Sequence, residues 1–202
     1  MPQPARSLLA RVRSYGAFLG AFLRAHKTIG AIAPTSRGVA RRIAALAGVA
    51  QARSVAELGP GTGAITRELL TQLPSDGLLC AFEVYPPFLA RLRESIDDPR
   101  FTLVAESAEH LPAVSDDDGE TGFDAIVSSI PFSLMSAEQT TAILRASGQA
   151  LRPGGVFVAL QYHPGYLLPF LRRQFGTVER RVCLWNVPPA LLLRASDPLH
   201  TE

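Results

Sequence analysis

Three short stretches of the chain carry residue types that could do chemistry. The first is Val55-Ala56-Glu57-Leu58-Gly59-Pro60-Gly61-Thr62-Gly63, an apolar run ending in three alternating glycines behind a single carboxylate. Glycine has no Cβ, so it takes positive φ at little cost and lets a ligand lie against the backbone; the amides opening the next helix attract polar groups. The second is Glu83, near the end of the strand-like run 78–84 and 20 residues after Gly63. Rossmann-like sheets place a ribose-binding carboxylate at the tip of the second strand at about that distance. The third is Ser128-Ser129-Ile130-Pro131-Phe132-Ser133, where an apolar run ends in a hydroxyl, a rigid proline and an aromatic ring.

The glycine spacing separates kinds of loop. A dinucleotide fingerprint needs G-x-G-x-x-G around a pyrophosphate, and a P-loop needs Gly-Lys-Ser/Thr; neither is present. Glu57-x-Gly59-x-Gly61-x-Gly63 resembles instead the first motif of class I S-adenosylmethionine (SAM) methyltransferases, whose cofactor has no phosphate to cradle.

Such residues need a sheet that brings strand ends together. After the strand containing Glu57, residues 64–73 read as a helix stopped by Pro74, and Pro86-Pro87 opens the helix after strand two, where proline costs no amide bond. Strands are expected at 101–105, 123–129 and 156–162, the last entered through the turn Arg152-Pro153-Gly154-Gly155, and helices at 136–151 and 165–175. Two final strands, 178–187 and 190–195, hinge at Pro188-Pro189. This alternation predicts an α/β Rossmann-like fold. Its sheet should be mostly parallel and seven-stranded, ending in an antiparallel hairpin, as in class I methyltransferases. Upstream, Thr35 or Ser36 can cap a helix that Gly48 closes.

The 202 residues are 47% hydrophobic, enough for one domain (35–202) plus an appendage (1–34). Cys80 and Cys183 lie in apolar runs and read as buried thiols rather than a disulfide. The four histidines, at 26, 110, 163 and 200, have no ligand spacing, so no metal is expected. The net charge of +2 conceals an asymmetry: residues 1–53 hold nine Lys/Arg and no acid, whereas the remainder holds 11 basic and 18 acidic residues. A basic segment of this kind points to an anionic partner, nucleic acid or lipid headgroups.

Within that segment Leu8, Val12, Tyr15, Phe18, Leu19, Phe22 and Leu23 share one side of a helical wheel, with Arg6, Arg13 and Arg24 opposite and Arg11 beside Phe18. A helix laid on its own domain needs no basic face. A signal peptide, cut near Ala31-Ile32-Ala33, conflicts with Pro34 and with Arg24, His26 and Lys27. A transmembrane span needs about twice the apolar length. A helix lying in the membrane interface fits the composition best.

Taken together, Lys27-Thr28-Ile29-Gly30-Ala31-Ile32-Ala33-Pro34-Thr35-Ser36, the glycine motif and Ser128–Ser133 are similar to the bacterial phospholipid N-methyltransferases. That resemblance spans about residues 20–195. It implies SAM-dependent methylation of phosphatidylethanolamine toward phosphatidylcholine, S-adenosylhomocysteine as product, and a peripheral place on the inner face of the cytoplasmic membrane. Glu57, Gly59, Gly61, Thr62 and Gly63 would line the methionine part of SAM and Glu83 the ribose. Val84, Ser107 and Ala108 would border the adenine, where many relatives carry an acid in place of Ser107. Base methylases similar to this chain, among them the ribosomal RNA adenine dimethylases, carry Asn/Asp-Pro-Pro-Tyr or Asn-x-Pro-Phe/Tyr after strand four. Here Ser129 stands where Asn would, and a hydroxyl suits a flexible alkylamine better than a planar base amine. Ser129, Pro131, Phe132 and Tyr15 are the expected substrate-side residues, the two aromatic rings facing the methylated cation. No nucleic-acid partner is expected on this reading; methylation of rRNA adenine is the alternative.

Overall fold

A computed structural model of the chain describes residues 35–111, 122–162, 165–183 and 190–199. The expected N-terminal helix, with Tyr15, falls outside them, as does His163. Helix α1 (Arg37–Leu46) starts at Ser36, whose hydroxyl accepts from the Val39 amide at 3.3 Å, and the chain turns away after it at Gly48, φ 68°. Strand β1 (Ser54–Leu58) is buried along its whole length, as a central strand covered on both faces must be. Helix α2 (Ala64–Gln72), β2 (Leu78–Phe82), α3 (Pro86–Ser95) and β3 (Phe101–Val104) follow. Then come β4 (Phe123–Ser128), α4 (Ala137–Ala150), β5 (Leu151–Gln161), α5 (Leu168–Gln174), β6 (Phe175–Cys183) and β7 (Ala190–Pro198). Helix α4 carries a capping box in which the Ser136 hydroxyl accepts from the Gln139 amide and the Gln139 side chain accepts from the Ser136 amide.

The strands form one seven-stranded sheet in the order β3-β2-β1-β4-β5-β7-β6. Strands β1 to β5 are parallel, and β7 runs antiparallel between β5 and β6. Strand order reverses between β1 and β4, which makes the carboxyl ends of those two strands the switch point where such sheets bind ligands.

Alternate strand residues feed two cores. Val55, Leu79 and Val158 pack with Val39 and Ile43 of α1 and Leu69 of α2. Ala56, Leu58, Ile126 and Phe157 pack on the opposite face with Ile143 and Leu144 of α4, Leu171 of α5 and Phe175. The thiols of Cys80, half-buried, and Cys183, buried, are both free. Among the described residues no helix is long and apolar enough to cross a membrane.

Several boundaries differ from those expected, and each shift has a tertiary cause. Residues 152–155, expected as a turn, belong to β5: Gly155 lies so close to the partner strand that a Cβ there would sit 2.8 Å from the Phe123 carbonyl oxygen. The expected helix 165–175 is shorter at both ends, running Leu168–Gln174: residues 165–167 form a turn, and Phe175 stacks on Phe157 at 5.9 Å and opens β6. Strand β7 runs to Pro198 rather than 195, because β5 pairs with it as far as Ser196 and β6 as far as Pro198. The expected strand 178–187 is described as far as Cys183, and the Pro188-Pro189 hinge lies outside the described residues.

Gly122, entering β4, has φ 108°, and a Cβ there would fall 2.6 Å from the Arg152 amide nitrogen. Gly122→Ala should therefore cost about 2 kcal/mol or more, from backbone strain plus a clash with main chain that cannot swing away. Urea denaturation of the variant against wild type measures it.

Candidate functional site

The carboxyl edge of the sheet gathers the residues picked out in the sequence. Gly59, Gly61 and Gly63 have φ of 72°, 57° and 79°, a conformation that side chains disfavour. Their surroundings differ. A Cβ on Gly59 would lie 3.1 Å from Ile130 Cγ1, and one on Gly63 only 2.8 Å from Arg67 Nη1 and 3.0 Å from Leu92 Cδ2. One on Gly61 would make ordinary contact with Phe88 at 3.7 Å, so Gly61 is required by its backbone angle rather than by crowding. Thr62 is half-buried and its carbonyl accepts from Arg67 Nη1 at 3.1 Å.

Glu83 follows β2 directly and is 3% exposed. Its Oε1 accepts from the Val84 and Tyr85 amides, each at 2.9 Å, and its Oε2 accepts from the Gly61 amide at 3.2 Å. Burial raises its pKa, and these three amides oppose the rise. The carboxylate thus ties the tip of strand two to the glycine loop. Ser107 and Ala108 stand past the end of β3, with the Ser107 hydroxyl accepting from the Glu109 amide at 3.4 Å and Ala108 buried. Val84 is half-buried.

Glu57 is the anomaly. It is 0% exposed, and neither carboxyl oxygen has a hydrogen-bond partner among the described residues. The Thr66 hydroxyl and amide both face the carboxyl closely enough to favour its charged form, but neither makes a well-formed hydrogen bond to it. Burial, opposed by Thr66 and reinforced by Glu83, pushes Glu57 up to about 8. Leaving such a group unpaired costs stability unless a ligand supplies what is missing.

These residues fit SAM. The cofactor's ammonium and sulfonium are cationic and its ribose is a diol; the loop offers an orphaned buried carboxyl at Glu57 and a second carboxyl at Glu83. Glu57, Gly59, Gly61 and Glu83 would hold it, with Val84, Ser107 and Ala108 aligned beside them across β2 and β3.

After β4 the chain is clamped. The Ser129 amide donates to the Leu58 carbonyl at 3.0 Å, and its hydroxyl donates to the Gly59 carbonyl at 2.6 Å. The proton of that hydroxyl is therefore committed, and Ser129 can offer a substrate only acceptor lone pairs. Pro131 is half-buried beside it. Phe132, expected as an aromatic face for the substrate, is corrected: it is 0% exposed within the core that α4 and α5 cover, so it supports the turn from below.

Sequence reading passed over Gln161, the last residue of β5, which is 4% exposed and donates from Nε2 to the Ile130 carbonyl at 2.9 Å and to the Leu160 carbonyl at 2.7 Å. Its signal was a lone carboxamide closing the apolar run Val156-Phe157-Val158-Ala159-Leu160.

Two variants test this geometry without added ligand. The folded Glu57 carboxyl keeps its proton up to about pH 8, against an ordinary 4.5, so folding stability falls as pH rises through that window. Glu57→Gln should match wild type near the lower limit and exceed it by on the order of 3–5 kcal/mol above the upper one. Urea midpoints between pH 5 and 9 follow the gap. Phe132→Ala should cost about 3–5 kcal/mol in the same assay, as removal of a buried ring does; a ring facing substrate would lose turnover at unchanged stability.

Comparison with known proteins agrees with this architecture. Residues 55–155 match the family model described as a methyltransferase domain. Over 180 residues, 89% of this chain and 94% of the relative, the sequence is 29% identical to an ornithine lipid N-methyltransferase of Singulisphaera acidiphila. A ribosomal RNA small subunit methyltransferase A of Bifidobacterium adolescentis is 32% identical over 119 residues, which span 54% of this chain and only 37% of that one. Among solved structures, the N-methyltransferase NodS of Bradyrhizobium japonicum in complex with S-adenosylhomocysteine superposes with a TM-score of 0.67 at 18% identity, covering 82% of this chain and 89% of that one. With half its length matched to that domain, and the strand order of the class I fold around it, the chain belongs to the SAM-dependent methyltransferases.

Proposed function

We propose that the chain transfers methyl groups from SAM to the primary amine of a membrane lipid headgroup. One observation carries the reading: the turn after β4 presents an acceptor-only hydroxyl at Ser129 and buries the aromatic ring of Phe132. A planar adenine would want a ring to stack on, which Phe132 does not offer. A flexible alkylamine needs only an acceptor for its N–H. The ornithine lipid methyltransferase supports the same substrate class by its name and by alignment over nearly the whole of both chains. Ornithine lipid and phosphatidylethanolamine both present a primary alkylamine near an anion. Ornithine lipid is the first choice on that relative, and phosphatidylethanolamine, expected from the sequence resemblance, the second.

SAM, when bound, supplies a methyl group activated on a sulfonium. The protein's own contribution is approach and desolvation. Ser129 Oγ accepts an amine N–H and so turns the nitrogen lone pair away from itself. The buried surroundings of the turn, with Ile130 6% exposed, strip water from the ammonium and favour its neutral, nucleophilic form.

An anionic membrane is the proposed partner, reached from the inner face of the cytoplasmic membrane through the basic N-terminal segment. Helix α1 extends that charge: it buries Val39 and Ile43 while Arg37, Arg41 and Arg42 stay exposed. Anionic lipid adds about 1 kcal/mol per nearby Lys/Arg, and each large apolar side chain inserted roughly 1.5–3 kcal/mol.

The decisive assay gives the purified full chain labelled SAM and vesicles containing ornithine lipid or phosphatidylethanolamine, with a ribosomal RNA fragment as control. Label in a lipid amine is expected. Label in the RNA alone would overturn the reading. Phe18→Asp with Phe22→Asp should release the protein from anionic vesicles while SAM binding persists, and salt should weaken wild-type vesicle binding only in part, because the apolar term is not screened. Vesicle binding untouched by the double substitution would remove the N-terminal helix from the membrane contact.

A further inference from the structure

The carboxyl edge of the sheet is crossed by a belt of contacts that starts from the last ladder bond between β1 and β2 and continues through side chains beyond the strand pairing. The Gly59 amide donates to the Phe82 carbonyl at 2.9 Å, joining the glycine loop to β2. Ser129 Oγ then donates to the Gly59 carbonyl at 2.6 Å, joining the turn after β4 to that loop. Gln161 closes the belt from the other side, reaching from the end of β5 to the Ile130 carbonyl at 2.9 Å.

The last link has unusual features. The final ladder pair between β4 and β5 is Ser128 with Ala159, so Gln161 stands two residues beyond it, level with the turn rather than with the strand. The Ile130 carbonyl already accepts from the Phe132 amide at 2.9 Å. It does not need Gln161 to avoid being an unsatisfied buried acceptor. What the second donor adds is direction: a carbonyl held from two sides cannot rotate, and neither can the peptide units of Ser129 and Pro131 that flank it. Nε2 also donates to the Leu160 carbonyl at 2.7 Å, which pins the carboxamide and leaves neither proton free. Ile130 in turn rests on the Gly59 backbone, close enough that a Cβ there would lie 3.1 Å from its Cγ1. A shift of the turn is thus a shift relative to the cofactor loop.

We propose that Gln161 is a positioning residue for methyl transfer, holding the turn that carries Ser129 and Pro131 at a fixed distance from the glycine loop. It acts through Ile130 and touches neither reactant. The inference rests on the methyltransferase reading of the site and not on which lipid supplies the amine. Displacing an oriented group by about 1 Å can cost 100-fold in rate, so a roughly 10- to 100-fold effect is the expected scale.

The test uses the full chain and two variants. Gln161→Met keeps the length and removes both donors. Its affinity for S-adenosylhomocysteine should stay within about twofold of wild type, because the glycine loop and Glu83 are untouched, while kcat falls roughly 10- to 100-fold and the KM for the lipid amine changes little. Hydrogen exchange at the Phe132 and Ser129 amides should quicken relative to amides within β5, a readout that needs no acceptor and so separates this inference from the choice of substrate. Gln161→Glu supplies the discriminating signature. A neutral carboxylic acid can donate to the Ile130 carbonyl and a carboxylate cannot, so activity relative to wild type should recover at acidic pH and fall as the introduced group ionises. If Gln161→Met does not fold, the pH profile of Gln161→Glu carries the test. Unchanged kcat and unchanged exchange in Gln161→Met, or a Gln161→Glu deficit equal at every pH, would overturn the proposal.

Discussion

The close approach of Gly59 to Ile130 is the constraint on which the site depends. It occurs where β1 and β4 lie side by side and strand order reverses, so the chain leaving β1 and the chain leaving β4 depart from neighbouring points. At such a switch point a crevice opens that belongs to no single loop. Ser129 spans it twice, through its amide to Leu58 and its hydroxyl to Gly59, and these bonds turn two loops into one object. Cofactor side and substrate side cannot move independently, which is what an in-line transfer between two bound reactants asks of its frame.

Electrostatics in the crevice are deliberately uneven. Glu57 lies on β1 and Glu83 just past the end of the neighbouring β2, yet the second carboxyl is held by three backbone amides and the first has no well-formed hydrogen bond. A chain optimised only for stability would not bury Glu57 beside a like charge. Burial pushes its pKa up to about 8, so the ligand-free fold resists ionising it, and a cationic ligand beside it would reverse that balance. Stability would thus be given up at the position where the proposed cofactor contact needs it.

Helix α1 shows how one element serves two demands. Its apolar stripe of Val39, Ala40, Ile43 and Ala44 packs on the sheet. Arg41 reaches Glu68 of α2 at 3.2 Å and Arg42 reaches the Cys183 sulfur at 3.7 Å, so the helix lies between α2 and the end of β6. The segment preceding it is also basic and free of acids, whereas the body that follows is acidic in balance. Charge and packing divide along the chain as the proposed work does, with the domain turning over substrate and its N-terminal approach meeting the lipid surface.

Local chemistry made much of this legible from the residues alone. The cap at Thr35 or Ser36, the Pro86-Pro87 helix start and the three glycines act over a few positions, so their types name the structure they form. A mostly parallel sheet with a terminal hairpin followed from the alternation of elements, the place of Glu83 from its spacing after Gly63, and the role of Glu57 from the family resemblance. What tertiary structure alone decided is which way side chains turn once the sheet is assembled. Phe132 reads as an exposed ring after a strand and is buried, because the turn folds it under itself against the core around α4. The Ser129 proton is spent on a carbonyl 70 residues away in the chain, and Gln161 on one 31 residues away. Glu57 is left without a well-formed partner because the packing of α2 on β1 excludes water and brings only Thr66 near the carboxyl. Each of these depends on distances between segments remote in sequence, and no local pattern of residue types encodes a distance of that kind.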